Sequence, residues 1–152
     1  MSKTIIITEA GINHNGNFNT AKKMIKIAKQ CGADIVKFQT AIPEEIVTKK
    51  AKKTAYQIKN TKKKDETQFE MQKKLHFSLS TYKALINICK KNKIEFLSTA
   101  FDLKSLKYLT SLGMKKIKIP SGEITNVPLL QAIGKLNKIT FLSTGMSNIK
   151  EI

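Results

Sequence analysis

The sequence predicts an α/β protein built on a parallel sheet with crossover helices. Three observations carry this. Short apolar runs rich in β-branched residues alternate with segments of helical period, five times along the chain. Capping residues and closing glycines punctuate the alternation where helices should start and stop. Polar side chains gather at or just beyond one end of each run, the carboxyl end.

The elements follow in order. Thr4–Thr8 (Thr-Ile-Ile-Ile-Thr) reads as a buried strand. Glu9–Gly16 follows as a polar loop. A helix starts near Asn19 as its N-cap, carries Ala21, Met24, Ile25 and Ala28 on one face, and closes at Gly32. The second strand is Asp34–Gln39. Residues 40–77 show no strand signal and many lysines, with a helix around Glu66–Leu75; an insertion of this length is either functional or unstructured. Another helix runs from a Ser80 cap to about Lys91, with Tyr82, Leu85, Ile86 and Cys89 inward. Strand three is Ile94–Thr99. Asp102 caps a helix bearing Leu106 and Leu109 and closed by Gly113. Strand four is Lys116–Ile119, ended by Pro120, which has no N–H to give to a ladder. Asn126 caps a helix with Pro128 in its first turn and Leu129, Leu130 and Ile133 inward. Strand five is Lys138–Ser143, and a further helix barely begins.

Composition narrows the function classes. The formal charge is +17, but all 28 basic residues are lysine. Arginine is the preferred residue for phosphate forks and guanine edges. The densest lysine cluster, Lys49 to Lys64, lacks the interleaved aromatics of a single-strand binder, so it reads as a solvated loop and no specific nucleic acid is expected. No apolar run is long enough to span a bilayer, and a cytoplasmic location is expected. Cys31 and Cys89 lack CxxC spacing and read as reduced core residues. His14 is a lone loop histidine; with His76 the only other one, the sequence offers no metal cluster, and His14 reads as ordering its own loop.

The polar strand ends carry the chemistry. They are Glu9 and Asn13; Lys37 and Gln39; Ser98 and Thr99; Lys118, Ser121 and Glu123; Ser143 and Thr144. In parallel α/β proteins the carboxyl ends share one face. Converging there, two lysines, several hydroxyls and two carboxylates describe a pocket for a small anion and a second polar ligand. Lys37 and Lys118 lie inside apolar strands, which suits charge-assisted binding of a phosphate or carboxylate. Snorkelling lysines and local hydroxyl–backbone bonds would satisfy the same residues one at a time; their convergence is the argument.

Five motifs in order, Glu9-Ala-Gly-Ile-Asn-His-Asn-Gly16, Lys37-Phe-Gln-Thr40, Ser98-Thr-Ala-Phe-Asp102, Lys118-Ile-Pro-Ser-Gly-Glu123 and Ser143-Thr-Gly-Met-Ser147, resemble the bacterial sialic acid synthases. The resemblance extends through Ala55–Asn60 and Gln68–Leu75. It implies a (β/α)8 TIM-barrel fold, truncated after about five βα units, since such a barrel needs about 250 residues. Residues 1–152 would be the N-terminal part (strands 1–5), with the later strands and a C-terminal antifreeze-like domain absent. The implied activity is transferase chemistry: phosphoenolpyruvate condenses with N-acetylmannosamine to give N-acetylneuraminate and phosphate. The chain alone is expected to be inactive. By family position Lys37, Gln39, Thr99, Lys118, Ser121 and Ser143 would hold phosphoenolpyruvate. Glu123 would contact the sugar and act as base, and Glu9 would sit near the metal and its water. A divalent metal (Mn2+ or Mg2+) and a homodimer are expected of the full-length enzyme, with the metal's histidine ligands on later strands and none within this chain. The alternatives are a synthase for a related legionaminic- or pseudaminic-type acid and a non-catalytic basic remnant.

Overall fold

The computed structural model describes residues 4–152. Strand β1 (Ile7–Gly11) lies further along the chain than the run predicted at Thr4–Thr8. The shift has a local cause. Residues 4–6 precede the start of β2 (Ile35–Thr40): the Ile6 carbonyl accepts from Asp34 N and Ile35 N (3.0 and 3.1 Å), but its N–H turns to the Asp34 carboxylate (3.0 Å) instead of a neighbouring strand. At the other end the parallel ladder continues past Glu9 through a bulge, pairing Glu9 with Lys37 and Gly11 with Phe38 and leaving Ala10 extra. Gly11 adopts φ +53°, which a residue with a Cβ rarely does.

Helix α1 (Phe18–Gln30) is capped by Asn17, whose Oδ1 accepts from Thr20 N at 2.9 Å. Asn19, the predicted cap, falls in the first turn, because the chain has already reversed at Gly16 (φ +71°). Ala21, Ile25 and Ala28 are buried as predicted, and Met24 partly so. The helix ends one residue before Cys31, which turns outward and is exposed; only Cys89 keeps the expected buried place.

Residues 41–77 form an excursion with helices of its own, and within it the lysines of the 49–64 cluster are exposed, as expected, with the exception of Lys53. It holds α2 (Pro43–Ile46), α3 (Ala55–Thr61) and α4 (Gln68–Leu75). Thr67 caps α4 in a reciprocal box with Glu70. Lys53, in the lysine cluster, is buried: its Nζ donates to Thr61 Oγ1 (2.8 Å) and Glu66 Oε2 (2.9 Å), while Lys74 holds Glu66 Oε1 at 2.6 Å. Burying an ammonium is tolerable only with such partners.

Helix α5 (Leu79–Lys91), with Ser78 instead of Ser80 at its cap, buries Tyr82, Leu85, Ile86 and Cys89. β3 (Glu95–Ala100) pairs in parallel with β2. Asp102 caps α6 (Leu103–Ser111), and its Oδ2 also accepts from Ile42 N at 2.9 Å, fastening the excursion to the end of β3. β4 (Lys116–Ile119) is followed by a short 3-10 turn at Ser121–Glu123 and by α7 (Val127–Gly134), capped by Asn126. β5 (Ile139–Leu142) pairs in parallel with β4.

The parallel βα repeat is thus present, arranged as two sheets. β1-β2-β3 forms one and β4-β5 the other. β4 lies beside β3, but no ladder joins them; the Lys116 ammonium reaches both oxygens of Glu95 across the seam at 2.7 and 2.6 Å. Among the described residues β1 and β5 each have one strand neighbour, and Ile139 and Leu142 on β5 are exposed. The core lies between the strands and α1, α5, α6 and α7, around Phe38, Tyr82, Leu85, Leu97, Leu109, Ile117 and Leu129. Each such large side chain contributes about 1.5–3 kcal/mol by leaving water. No helix among the described residues is long and apolar enough to cross a membrane.

Candidate active site

Strand register decides which predicted residues share a face. Along β2, Ile35, Lys37 and Gln39 alternate with Val36, Phe38 and Thr40. Lys37 is paired with Glu9 and Gln39 with Thr99, so Glu9, Lys37, Gln39 and Thr99 lie on one face, at the carboxyl ends of their strands. Ser98 points the other way and spends its hydroxyl on Thr40 Oγ1 at 2.7 Å, so it leaves the candidate set.

The Lys37 ammonium forms an ion pair with the Glu9 carboxylate. The lysine side chain is 11% exposed and the glutamate 51%, so the pair spans the boundary between core and solvent. The bulge puts it there: Glu9 Oε1 lies 3.1 Å from where a Cβ on Gly11 would stand, with Gln39 Nε2 3.6 Å from the same point. A side chain at position 11 would crowd the carboxylate.

On the second sheet, the Lys118 Nζ donates to Ser143 Oγ at 2.5 Å and to the Ile119 carbonyl at 2.8 Å. Burial holds Lys118 below the ordinary lysine value. The Lys37 charge adds to the lowering and the Glu9 charge opposes it. Lys37, Lys118 and Glu9 therefore feel one another across the seam. Gly145 brings the loop after β5 against Ser121, whose Oγ is 3.4 Å from a notional Cβ there. Glu123 is half-buried, and its Oε2 accepts from Asn126 Nδ2 at 2.6 Å, so the cap of α7 orients it. The structure thus gathers Glu9, Lys37, Gln39 and Thr99 on one sheet and Lys118, Ser121 and Ser143 on the other, with Glu123 just beyond. Asn13 and Thr144 are exposed loop residues outside this set.

A cavity of about 510 Å3 lies elsewhere. It opens at the amino ends of β3 and β4, lined by Ile86, Cys89, Glu95, Phe96, Met114 and Lys116. It is packing space beside the seam. The cationic residues converge at the opposite ends of the strands, and chemistry outweighs volume in choosing between the two.

His14 is not among the residues gathered at the strand ends. It is 1% exposed, stacks on Phe77 with ring centroids 4.1 Å apart, and accepts from Gly16 N through Nδ1 at 3.1 Å. Burial lowers it to about 4. It does order its loop, as expected. Its aromatic partner in the excursion was not legible in the sequence, because nothing in spacing links position 14 to position 77. As for a metal, no three His, Cys, Asp or Glu side chains among the described residues group to hold one, and Glu9 is committed to Lys37. The residues present do not by themselves make a metal site.

In parallel α/β scaffolds of this kind, ligand sites lie at the carboxyl ends of the strands, where these lysines and hydroxyls stand. The NeuB family model matches residues 24–152, and the chain belongs to the NeuB family. It is 55% identical over 152 residues to N,N'-diacetyllegionaminic acid synthase of Campylobacter jejuni, covering 100% of this chain and 45% of that protein. It is 46% identical over 147 residues to the protein of the same name from Legionella pneumophila, covering 97% of this chain and 41% of that one. A crystal structure of N-acetylneuraminic acid (sialic acid) synthetase from Leptospira borgpetersenii, in complex with citrate, superposes with a TM-score of 0.81 at 29% identity, covering 99% of this chain and 48% of that one. The chain therefore spans less than half the length of these relatives.

Proposed function

We propose that this chain supplies the phosphoenolpyruvate-binding part of a nonulosonic acid synthase, and that its five strands belong to a (β/α)8 barrel. The observation that carries the reading is the convergence of Lys37 and Lys118. Two ammonium groups, each inside an apolar strand, face a common space with Glu9 as the one carboxylate paired there. A dianionic ligand would offset their mutual repulsion through charge-assisted hydrogen bonds. Thr99, Gln39, Ser121 and Ser143 would supply neutral donors around it.

In the proposed reaction the methylene carbon of phosphoenolpyruvate forms a C–C bond to the open-chain aldehyde of an acetamido sugar. Water adds to the resulting cationic carbon, and C–O cleavage releases phosphate. Lys37 and Lys118 orient the phosphate and carboxylate and offset charge on the leaving group. Glu9, half-exposed beside Lys37, would hold the water, and Glu123, oriented by Asn126, would contact the sugar and move its proton. A divalent metal would supply Lewis-acid polarisation of the aldehyde, but its ligands would come from outside this chain, and a homodimer belongs to the whole enzyme in the same way.

For the sugar, the similarity to two diacetyllegionaminic acid synthases favours a diacetamido acceptor over N-acetylmannosamine, the acceptor first expected. The test is a fusion of residues 1–152 to the remaining part of the Campylobacter relative, assayed for phosphate release with phosphoenolpyruvate and a panel of acetamido sugars. Turnover with the diacetamido sugar above that with N-acetylmannosamine is expected. Turnover with N-acetylmannosamine alone would return the assignment to sialic acid, and no turnover with any sugar would remove the synthase reading.

A further inference from the structure

The loop after β1 and the excursion meet at one joint. His14 enters it from the loop: its ring lies 10° from parallel to Phe77 and 6.0 Å from the Phe38 centroid. Because Nδ1 accepts from Gly16 N, the ring proton of the neutral imidazole resides on Nε2. Gly16 sits directly under the end of α4, where an added Cβ would come within 2.3 Å of the Lys74 carbonyl oxygen. Three buried side-chain atoms without a hydrogen-bond partner fall on the two sides of this joint: His14 Nε2 from the loop, and Gln72 Oε1 and His76 Nδ1 from α4 and its C-cap. Native structures leave few such atoms, so a joint holding three is a place where polar groups come together. The excursion side is itself braced by Lys53–Glu66–Lys74. The loop side begins at the bulge that aims Glu9 at Lys37.

We infer that His14 is a positioning residue: it clamps the loop after β1 to the excursion, so that the two open and close as one unit and Glu9 is held beside the strand-end anion site. The backbone between them supports this. Asn13 N donates to the Ala10 carbonyl (3.1 Å), Asn15 N to Ile12 (2.9 Å) and Asn17 N to His14 (2.9 Å). These consecutive turns leave little slack between the His14 ring and the bulge. The ligand half of the inference rests on the phosphoenolpyruvate reading; the clamp does not.

Hydrogen–deuterium exchange on the 152-residue chain tests the clamp. In His14→Ala, exchange should quicken about tenfold or more in both 10–17 and 68–77. His14→Phe keeps the stack on Phe77 and loses the Nδ1 acceptor, so it should restore 68–77 while the Gly16 amide stays fast. Glu66→Gln, which disturbs only the brace inside the excursion, should loosen 10–17 as well. A His14→Ala variant that loosens 10–17 alone would reduce His14 to ordering its own loop and overturn the inference. If His14→Ala unfolds the chain, the other two variants decide: a loop indifferent to Glu66→Gln overturns it equally. Phosphoenolpyruvate titration then separates the two readings. Weaker binding in both Lys118→Ala and His14→Ala supports both. Weaker binding in Lys118→Ala alone keeps the anion site and removes the positioning role. No binding by the wild-type chain removes the ligand reading, and the exchange results still decide the clamp.

Discussion

Replacing Gly16 by alanine isolates how tightly the loop after β1 is seated on the excursion. Three glycines make a graded series. Gly122 has open space around a notional Cβ, so Gly122→Ala should stay within about 0.5 kcal/mol of wild type. Gly32 also has open space but sits at φ +83°, so Gly32→Ala bears only the left-handed backbone cost, about 1–2 kcal/mol. Gly16 combines φ +71° with a Cβ position 2.3 Å from a backbone oxygen. That oxygen belongs to α4 and cannot swing aside as a flexible side chain would. Overpacking of this kind adds about 1–3 kcal/mol, so Gly16→Ala should lose about 2–5 kcal/mol in total. Urea unfolding followed by far-ultraviolet circular dichroism at low protein concentration measures all three. A Gly16→Ala cost no larger than that of Gly32→Ala would show that the loop does not rest on α4 and would undo the contact on which the joint depends.

Other expectations follow from the same geometry. Lys118→Ala should weaken phosphoenolpyruvate binding about tenfold or more, because a charge-assisted bond contributes about 1.5–3 kcal/mol, whereas Lys62→Ala on the exposed surface should change it little; isothermal titration compares them. Acid should destabilise the fold between about pH 6.5 and 4. His14 and His76 are both held near 4 by burial, His76 further lowered by His14 and opposed by Asp102. The unfolded chain therefore binds protons that the folded chain refuses: stability is full above the ordinary histidine value and is lost as pH falls toward 4. His14 is one of the two groups responsible, and the wild type should lose more stability over this range than His14→Phe does. Glu66, held near 2 by Lys74 and Lys53, adds to the loss only at the acid end of that window and below it, because the unfolded chain protonates there near the ordinary 4.5 while the folded chain does not. Cys31 should react with a thiol reagent in the native state, while Cys89, buried with its thiol pushed up to about 12, should react only on unfolding, as mass spectrometry of the labelled chain would show.

What was legible in the sequence was local. β4 begins and ends where alternation and Pro120 placed it, and Asp102 and Asn126 cap their helices as read. These features depend on a few neighbouring residues. The misplaced elements depended on distant ones. β1 shifted because its ladder is set by β2 and by a bulge that only Gly11 makes comfortable. The α1 cap moved from Asn19 to Asn17 because the chain turns at Gly16. Lys53 looked like one more solvated lysine until Glu66 and Thr61 closed on it. The candidate site residues were legible because each stands at or just beyond a strand end, and strand ends are visible in a pattern of apolar runs. Ser98 was drawn in by the same rule, and a one-residue change of face removed it. His14 was singled out for its chemistry, but its partners at 38 and 77 are contacts of the folded chain.

The seam between β3 and β4 has a mechanical consequence. Elsewhere in the strands, hydrogen-bonded rungs set the spacing between neighbours. Across this seam the spacing is left to Lys116 and Glu95 near the amino ends and to the helices outside. The groups proposed to bind an anion straddle it at the far end, with Lys37 and Thr99 on one bank and Lys118 and Ser143 on the other. A ligand gripped from both banks acts as the absent rung. Part of its binding free energy would then go into holding together two sheets that are pinned by an ion pair at the amino ends and joined by no ladder. The distance between the two lysines becomes an adjustable gauge, read by whatever anion spans it.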